Sequence, residues 1–359
     1  MPPRTRIHAV ILAGGAGERF WPASRRRHPK PLLRVLGDRS LLEATALRAR
    51  GFSDDLWLVC GSEHAAPMRR ALGLPAARVL VEPSRRNTAM AVGLAATRIA
   101  AEDPDAIVAV LPADHHISDS RAFARDMRRA ARAARDAGVL VTLGVSPTRP
   151  DTGYGYIQSG TAAGPRYPGL RKVRRFVEKP DAARARRYVR SGGYLWNAGI
   201  FVWTAATILE EIRTHMPGLH RALAPVRAAG RRPTRAALAR AYARAPSAPI
   251  DTGVMEKSRR VWTLPVTWGW SDVGTWQALA EEAGVGPGAS RALRGDLVHD
   301  DRGGNLVWGQ AGKPIALVGV EGLAVVDTGD ALLVTRLEDS DTLREVVRAL
   351  KQAGLDDLT

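Results

Sequence analysis

Residues 8–36, HAVILAGGAGERFWPASRRRHPKPLLRVL, join a short apolar run to a glycine-rich turn that is followed by cationic side chains. The glycines and the cations are Gly14, Gly15, Gly17, Arg19, Arg25 and Lys30. Glycine lets backbone N–H groups approach a ligand closely, because no Cβ stands in the way. Arginine and lysine beyond such a turn suit a polyphosphate. The stretch therefore predicts a buried strand that ends in a polyphosphate-binding turn.

The spacing in this turn excludes two common phosphate-binding loops. A Walker A loop needs Lys followed by Ser or Thr directly after its last glycine, and that pair is absent. The dinucleotide-binding fingerprint needs a third glycine where Phe20 stands. A glycine turn by itself is weak evidence of binding, so its interpretation depends on the other motifs in the chain.

The composition is that of a globular protein of 359 residues, of which 45% are hydrophobic. No apolar run approaches the roughly 20 residues of a membrane-spanning helix, so we expect no membrane association. The single cysteine, Cys60, permits no internal disulfide, and it ends an apolar run. This pattern favours a cytoplasmic protein in which the thiol serves packing.

The chain has a formal net charge of +17, and 47 of its 53 basic residues are arginines. Such a charge is compatible with nucleic-acid binding. The arginines are scattered, however, and many fall on polar faces of predicted helices, as at residues 121–138. No basic cluster with interleaved aromatic residues is visible, so we expect no nucleic-acid partner. The scarce lysines, such as Lys30 and Lys179, mark positions where a compact ammonium suits better than a planar guanidinium.

The first 150 residues alternate apolar strands with helical stretches. The predicted strands are 8–12, 56–60, 78–81, 107–111 and 139–144, and the predicted helices are 40–50, 63–72, 87–102 and 121–137. Since the strands lack period-two alternation, we expect helices on both faces of the sheet. This order predicts an α/β fold with a doubly wound, mostly parallel sheet. Ligands of such sheets bind beyond the carboxyl ends of the strands, where residues 14–17 and 112–116 lie.

The alternation of strands and helices becomes less regular after residue 150, and the sequence pattern changes again at residue 286. For the middle part we predict strands at 153–159 and 172–178, an aromatic stretch at 194–203, helices within 205–243 and a Trp-rich segment at 262–276. After a candidate linker we predict five short strands and a helix, at 295–299, 304–308, 315–320, 323–327, 331–335 and 340–353. We therefore expect two domains, residues 1–285 and residues 286–359, the second small and β-rich.

The motifs GGxGxR, WPxSR and PK in residues 14–30 resemble the signature of the nucleoside-diphosphate-sugar pyrophosphorylases. The Trp-Pro-x-Ser-Arg variant is similar to that of the mannose-1-phosphate guanylyltransferases. Pro31 stands where the longer enzymes usually carry Gln. The resemblance implies a Rossmann-like nucleotidyltransferase fold whose tail resembles a short left-handed β-helix and helps to form a homodimer. It also implies a short monofunctional form, without the phosphomannose isomerase domain of the bifunctional relatives.

The resemblance further implies a nucleotide site that holds Mg²⁺. Its residues are Leu12, Ala13, Gly14, Gly15, Gly17, Arg19, Lys30, Asn87, Thr88 and Asp114. Asp114, in LPADHHI, and Asp272, in WGWSDVGTW, correspond to the two carboxylates that hold the metal in this family, and oxygen ligands suit Mg²⁺. From the residues alone, either aspartate could be a turn or cap residue, and Asn87 or Thr88 could be an ordinary helix cap. Met90 replaces a Pro that is common in the family.

Three further segments and a fourth, weaker match resemble the family's sugar-phosphate site. The residues that correspond are Gly155, Glu178, Lys179, Asn197 and Asp251. Glycine inside a strand is costly unless something approaches closely, and a buried amide needs partners. Sugar hydroxyls need paired donors and acceptors, which these side chains supply. Taken singly, Glu178 and Lys179 could equally form a surface ion pair.

The implied reaction converts GTP and α-D-mannose 1-phosphate into GDP-mannose and pyrophosphate. The sugar phosphate attacks the α-phosphorus in line, while Arg19, Lys30 and Mg²⁺ on Asp114 and Asp272 neutralise charge. One alternative is a sister enzyme that uses another nucleotide or hexose phosphate. Another is a non-catalytic regulatory or binding paralogue, which the complete set of Lys30, Asp114 and Asp272 disfavours.

Overall fold

The computed structural model describes residues 6–15 and 17–359, which form two compact units. The first unit contains the described residues up to Gly14 together with Thr45–Ala113 and Ile117–Trp270. The second contains Gly15–Ala44, Asp114–His116 and Ser271–Thr359. The predicted domain boundary after residue 285 does not coincide with this division, because residues 15–44, 114–116 and 271–285 also belong to the second unit.

The elements follow the predicted order closely. The strands are β1 Ile7–Ala13, β2 Asp55–Gly61, β3 Val79–Glu82, β4 Ile107–Pro112, β5 His116–Ile117, β6 Leu140–Val145, β7 Tyr156–Ala162, β8 Arg171–Val177, β9 Tyr194–Thr204, β10 Val261–Val266, β11 Trp270–Ser271, β12 Arg291–Arg294, β13 Asp296–Asp300, β14 Leu306–Trp308, β15 Pro314–Leu317, β16 Leu323–Asp327 and β17 Leu332–Arg336. The α-helices are α1 Leu41–Arg50, α2 Ala65–Leu72, α3 Asn87–Ala100, α4 Ser120–Ala137, α5 Ala182–Ser191, α6 Ala205–His215, α7 Pro217–Ala222, α8 Ala224–Ala228, α9 Arg235–Arg244, α10 Trp276–Glu282 and α11 Leu343–Gln352.

The first unit is built on a nine-stranded sheet of order β3-β2-β1-β4-β9-β6-β10-β8-β7. The pairs β2–β3, β1–β2, β1–β4 and β6–β10 are parallel. Strand β9 lies antiparallel between β4 and β6, which makes the sheet mixed. Continuous apolar runs in β1 and β4 are almost fully buried, as expected for strands covered on both faces. The predicted α/β fold is confirmed.

Helix α4 places its arginines on a polar face. Asp119 accepts hydrogen bonds from the first backbone N–H groups, and Gly138 ends the helix in the left-handed conformation. Phe123 and Met127 face the core, whereas Arg128 and its neighbours one turn away are exposed. The arginines thus lie on a solvated helix face, as the spacing predicts. Within the described residues, no helix is long and apolar enough to cross a membrane.

The second unit has its own apolar core. Its buried members include Phe20, Trp21, Val273, Trp276, Leu306, Trp308, Val326, Leu333, Leu343 and Val347. Strands β12, β14 and β16 stack in parallel, and β13 pairs in parallel with β15. Parallel pairing between strands that recur every 15 to 18 residues is typical of a winding β-helix. The predicted β-rich tail is confirmed, although its last helix begins at Leu343 and not at residue 340, because residues 337–342 form a 3₁₀-helix.

Candidate functional site

The glycine-rich turn is packed against the residues that follow it. Gly17 has a left-handed backbone, with φ of 66°, which favours glycine. A Cβ there would overlap Ser24 Oγ and lie 2.8 Å from Lys30 Cβ. Gly17 is therefore required both by its own conformation and by the close approach of Ser24 and Lys30.

Lys30 links three segments that lie far apart in the sequence. Its ammonium is buried, donates to Asp114 Oδ2 at 2.7 Å, and donates to the backbone oxygen of Asp272 at 3.1 Å. It also lies 5.2 Å from the centroid of the Phe20 ring. The structure thus brings together the predicted loop lysine, the aspartate after β4 and the second aspartate segment.

Asp114 is held in its ionised form by these neighbours. Burial by itself would raise the pKa of this carboxyl, but the charges of Lys30 and His115 and the hydrogen bond from Lys30 outweigh it. The pKa of Asp114 consequently lies below its ordinary value. A carboxylate with a fixed negative charge is what a cation-binding role requires.

Asp272 lies in a strained turn. The next residue, Val273, has φ of 44°, which a β-branched residue rarely adopts. Ser271 Oγ accepts from the Val273 N–H at 3.1 Å, and Asp272 Oδ1 accepts from the Gly274 N–H at 3.0 Å. Val273 is completely buried in the core of the second unit. Packing therefore holds the turn in a conformation that fixes the Asp272 carboxylate.

Positive φ values at non-glycine residues coincide with the predicted site. Among the described residues, such values occur at Asn87 (62°), Lys179 (46°) and Val273 (44°). Two of these are predicted site residues, and the third follows Asp272. Conformations of this kind cost about 1–3 kcal/mol each and tend to occur at functional sites.

Part of the predicted nucleotide site belongs to the first unit. Leu12 and Ala13 end strand β1, and a Cβ on Gly14 would lie 3.3 Å from Glu82 Oε2. Helix α3 begins at Asn87 itself, so the expectation that Asn87 or Thr88 precedes the helix as its cap is wrong. Their side chains bind backbone groups instead, because Asn87 Oδ1 accepts from the Thr88 N–H at 2.8 Å and Thr88 Oγ1 accepts from the Ile250 N–H at 2.9 Å.

Glu82 is a candidate residue that the sequence interpretation missed. It is buried at the carboxyl end of β3, and its Oε1 accepts a hydrogen bond from the Tyr242 hydroxyl at 3.0 Å. Burial raises the pKa of Glu82. In the sequence, the feature that could have indicated a role for Glu82 is its position directly after the apolar part of a strand, next to the segment that contains Asn87.

The predicted sugar-site residues converge in the first unit. A Cβ on Gly155 would lie 2.7 Å from Glu178 Oε2, so glycine at this position lets the Glu178 carboxylate approach the backbone. The Gly155 carbonyl accepts from the Asn197 N–H at 2.8 Å. Asn197 Nδ2 donates to Asp251 Oδ1 at 3.0 Å, and its Oδ1 accepts from the Thr142 hydroxyl at 2.8 Å. Five separate segments thus form one polar cluster, which we call the Asn197 cluster.

The Asn197 cluster contains more acidic than basic side chains. Burial and the negative charge of Glu178 raise the pKa of Asp251 to about 7. Lys179 contacts Glu178 at 3.2 Å, but its side chain is largely exposed. Glu256, which the sequence interpretation did not include, accepts from the Glu178 N–H at 2.8 Å. The cluster therefore offers an amide, an ammonium and several carboxyl groups, of which that of Asp251 can both donate and accept near neutral pH.

Arg19 and Arg25, two cations of the glycine-rich loop, lie in different surroundings. Arg19 lies half-buried in the short helix Glu18–Phe20. Arg25 was expected among the cations that suit a polyphosphate, and this expectation is wrong, because its guanidinium binds the Asp330 carboxylate of the same unit at 2.5 and 2.7 Å.

Comparisons with known proteins agree with these observations. Residues 8–284 match the family model described as nucleotidyl transferase, and residues 295–350 match the mannose-phosphate isomerase/GMP-like β-helix domain. The chain is 38% identical over 358 residues to the xanthan biosynthesis protein XanB of Xanthomonas campestris pv. campestris strain B100, covering 98% of this chain and 74% of XanB.

A mannose-1-phosphate guanylyltransferase of Escherichia coli is 38% identical over 352 residues, covering 96% of this chain and 74% of the relative. The crystal structure of a mannose-1-phosphate geranyltransferase from Thermus thermophilus is 37% identical and has a TM-score of 0.86. That match covers 96% of this chain and 99% of the Thermus chain.

Proposed function

Because the chain belongs to the nucleotidyl transferase family and is a nucleotidyltransferase, we propose that it converts GTP and α-D-mannose 1-phosphate into GDP-mannose and pyrophosphate. The observation that carries this proposal is the contact of buried Lys30 with both aspartate segments of the family pattern, at Asp114 and Asp272. The similarity to a mannose-1-phosphate guanylyltransferase supports the choice of substrates.

The proposed chemistry is a single in-line displacement. A phosphate oxygen of mannose 1-phosphate forms a bond to the α-phosphorus of GTP, and the bond from that phosphorus to the leaving pyrophosphate oxygen breaks. The attacking oxygen is already ionised at neutral pH, so no general base is needed. The task of the protein is positioning and charge stabilisation. Lys30 and Arg19 stabilise the departing pyrophosphate, and backbone N–H groups at Gly15 and Gly17 bind its oxygens.

The donors at Lys30 fit Mg²⁺. Asp114 and Asp272 offer hard oxygen ligands, which this ion prefers, and Mg²⁺ commonly uses one or two carboxylates together with water and phosphate oxygens. No group of three or more metal-ligating side chains occurs in residues 6–15 and 17–359. When bound, the ion would supply electrostatic stabilisation of phosphate charge.

We assign the base and the sugar to separate residues of the first unit. Asn87 and Thr88 lie along the base, where Glu82 accepts from the N1–H and N2–H₂ groups of guanine, an adjacent pair of donors that adenine lacks. Gly155, Glu178, Lys179, Asn197 and Asp251 bind the sugar phosphate. Support for the second assignment comes from the Asn197 cluster, whose paired donors and acceptors match hydroxyl groups.

The proposal is tested by measuring pyrophosphate release from four nucleoside triphosphates combined with several hexose 1-phosphates, with and without Mg²⁺. We expect the fastest release from GTP with mannose 1-phosphate, and dependence on Mg²⁺. A different preferred pair would establish a sister enzyme, and no release from any pair would favour a non-catalytic paralogue. Glu82→Gln should narrow the preference for GTP over ATP without changing the preference for mannose.

We also propose that the protein is a cytoplasmic homodimer. Leu332 and Val334 are 61% and 57% exposed on β17, which is the last strand of its sheet. Exposed apolar residues on an edge strand favour pairing with another chain. Light scattering should give a mass near twice 38.7 kDa for wild type and a lower mass for a Leu332→Lys/Val334→Lys variant.

We further propose that residues 1–285 and 286–359 are separate domains. Limited proteolysis at residues 284–290 tests this division.

A further inference from the structure

The proposed reaction leaves one conspicuous motif residue, Arg25, without a role. Arg25 is nine-tenths buried, and each nitrogen of its guanidinium is engaged within the second unit. Its Nε donates to the Pro22 carbonyl at 2.8 Å, and its Nη1 and Nη2 donate to the two oxygens of Asp330 at 2.5 and 2.7 Å. Nη2 also donates to Thr328 Oγ1 at 2.8 Å. This bidentate geometry is specific to arginine.

The partner of Arg25 is the turn that connects β16 to β17. The Thr328 N–H donates to the Ala331 carbonyl at 3.0 Å, and the Thr328 hydroxyl donates to Asp330 Oδ1 at 2.9 Å. Hydrogen bonds from Arg25 and Thr328 hold the pKa of Asp330 well below its ordinary value. The turn therefore presents a fixed, ionised acceptor.

The segment between Arg25 and Lys30 connects the Arg25–Asp330 contact to the glycine turn. The backbones of Arg25 and His28 exchange hydrogen bonds at 3.0 Å in both directions, which closes a tight turn. Ser24 packs against the open face of Gly17, and Gly17 packs against Lys30. Residues 17–30 thus form one closed loop, with the Arg25 guanidinium as its buried anchor.

Other contacts reinforce the same attachment. The Trp21 indole N–H donates to the Leu358 carbonyl at 2.8 Å, and Lys351 contacts Glu18 at 3.3 Å. The Trp276 indole N–H donates to the Trp21 carbonyl at 3.1 Å. The loop is therefore fixed by residues that are more than 250 positions away in the sequence.

We propose that the turn between β16 and β17 positions the phosphate-binding loop, with Arg25 and Asp330 as positioning residues that act on the reaction through Lys30. This inference rests on the proposed function, in which Lys30 stabilises the departing pyrophosphate. Loss of the Arg25–Asp330 pair frees the loop to shift relative to Asp114. A displacement of about 1 Å in a catalytic group is enough to reduce a rate by roughly a hundredfold.

The test compares Asp330→Ala, Asp330→Asn and Arg25→Lys with wild type in two-substrate kinetics. We expect kcat/KM for GTP to fall at least ~10-fold in Asp330→Ala and Arg25→Lys, with an unchanged KM for mannose 1-phosphate. Asp330→Asn, which keeps one acceptor oxygen, should lie between them and wild type. Arg336→Met is the matched control, because it breaks another ion pair of the same β-rich part, with Glu338, that lies outside the turn between β16 and β17.

A double-mutant cycle separates positioning from general destabilisation. Arg25→Ala/Asp330→Ala should be no slower than Arg25→Ala alone, since the change at Arg25 already removes the contact with Asp330 together with those to Pro22 and Thr328. Wild-type kinetics in both Asp330→Ala and Arg25→Lys, or equal losses for both substrates that follow the loss of folded protein, would overturn the inference. If Asp330→Ala does not fold, Thr328→Val gives the same test with a smaller loss, ~3-fold, because only one of the guanidinium contacts is removed.

Failure of this inference is distinguishable from failure of the proposed function. A wild-type protein that forms no GDP-mannose contradicts the function itself. An active wild type whose GTP kinetics are unaffected by Asp330→Ala contradicts only the positioning role.

Discussion

The loop around Lys30 and the Asn197 cluster are both polar and largely buried, but their charges are balanced in opposite ways. Lys30 faces the Asp114 carboxylate at 2.7 Å, and this cation lowers the pKa of its partner. In the Asn197 cluster, Glu178 and Asp251 share one exposed lysine, and the pKa of Asp251 is raised to about 7. A region with matched charges keeps its ionised form over the working pH range, whereas a region with excess acid titrates near neutrality.

This contrast matches the two tasks that we propose. Phosphoryl chemistry needs charges that stay fixed during the reaction, and a buried cation next to carboxylates supplies them. Recognition of sugar hydroxyl groups needs hydrogen-bond donors and acceptors, and a carboxyl that is partly protonated can supply both.

The largest effect is expected from removing charge at the aspartates near Lys30. Asp114→Asn or Asp272→Asn should lower turnover by at least about a hundredfold while the protein stays folded, because each carboxylate is a proposed Mg²⁺ ligand. Steady-state kinetics over a range of Mg²⁺ concentrations provide the measurement. Asp296→Asn, at an exposed position of β13, is the control. Near-normal turnover in both site variants would exclude the proposed metal site.

A smaller but substantial loss is expected from a change of shape without a change of charge. Lys30→Arg places a planar fork where the structure holds a compact ammonium between Asp114 and the Asp272 backbone. We expect a rate loss of ~10-fold or more, and a larger one in Lys30→Ala. Full activity of Lys30→Arg beside an inactive Lys30→Ala would show that charge alone matters.

The third prediction concerns the Asn197 cluster. Asn197→Ala leaves Asp251 and Thr142 without their amide partner, at a cost of roughly 1–3 kcal/mol. The KM for mannose 1-phosphate should rise and discrimination against glucose 1-phosphate should weaken, while the Kd for GTP stays close to normal. Calorimetry with GTP beside two-substrate kinetics measures both effects. Loss of GTP binding with an unchanged sugar KM would place Asn197 in the wrong site.

The last prediction concerns stability and not activity, because Asp251 makes the free energy of unfolding depend on pH. The folded protein binds the Asp251 proton more tightly than the unfolded chain, whose carboxyl has the ordinary pKa of 3.8. Stability from this group is therefore present at low pH and is lost as the pH rises from 3.8 through about 7. Asp251→Asn has no carboxyl to titrate at this position. The difference in free energy of unfolding between this variant and wild type should therefore increase, in favour of the variant, by on the order of 1 kcal/mol per pH unit within this window.

Urea unfolding at several pH values measures this gain. Asp38→Asn, at an exposed loop position, serves as the control and should show no pH-dependent difference from wild type. A difference between Asp251→Asn and wild type that does not grow with pH would show that the Asp251 carboxyl is ionised throughout.

The sequence predicted the elements that depend on local patterns. The strands at β1, β2, β3, β4 and β6 lie within about one residue of their expected positions, because each is a continuous apolar run. The position of β9, antiparallel between β4 and β6, could not be predicted, since strand order depends on contacts between distant segments. Local periodicity carries no information about such pairings.

The same distinction applies to the candidate site. Lys30 was recognisable because it follows a contiguous motif. Arg25 belongs to that motif too, but its partner Asp330 lies 305 residues later, so its role was misread. Glu82 was missed because burial and contact with Tyr242, and not a pattern of neighbouring residues, distinguish it from a surface carboxylate. Roles that depend on long-range partners need the structure.

In-line transfer of GMP from GTP to mannose 1-phosphate fixes the configuration at the transferred phosphorus. Its stereochemical course is measured with GTP chirally labelled by sulfur at the α-phosphorus, by ³¹P NMR of the product. A single displacement predicts GDP-mannose labelled at that phosphorus with inverted configuration. Retention of configuration would require a covalent guanylyl-enzyme and would contradict the account, as would the absence of a labelled nucleotide sugar.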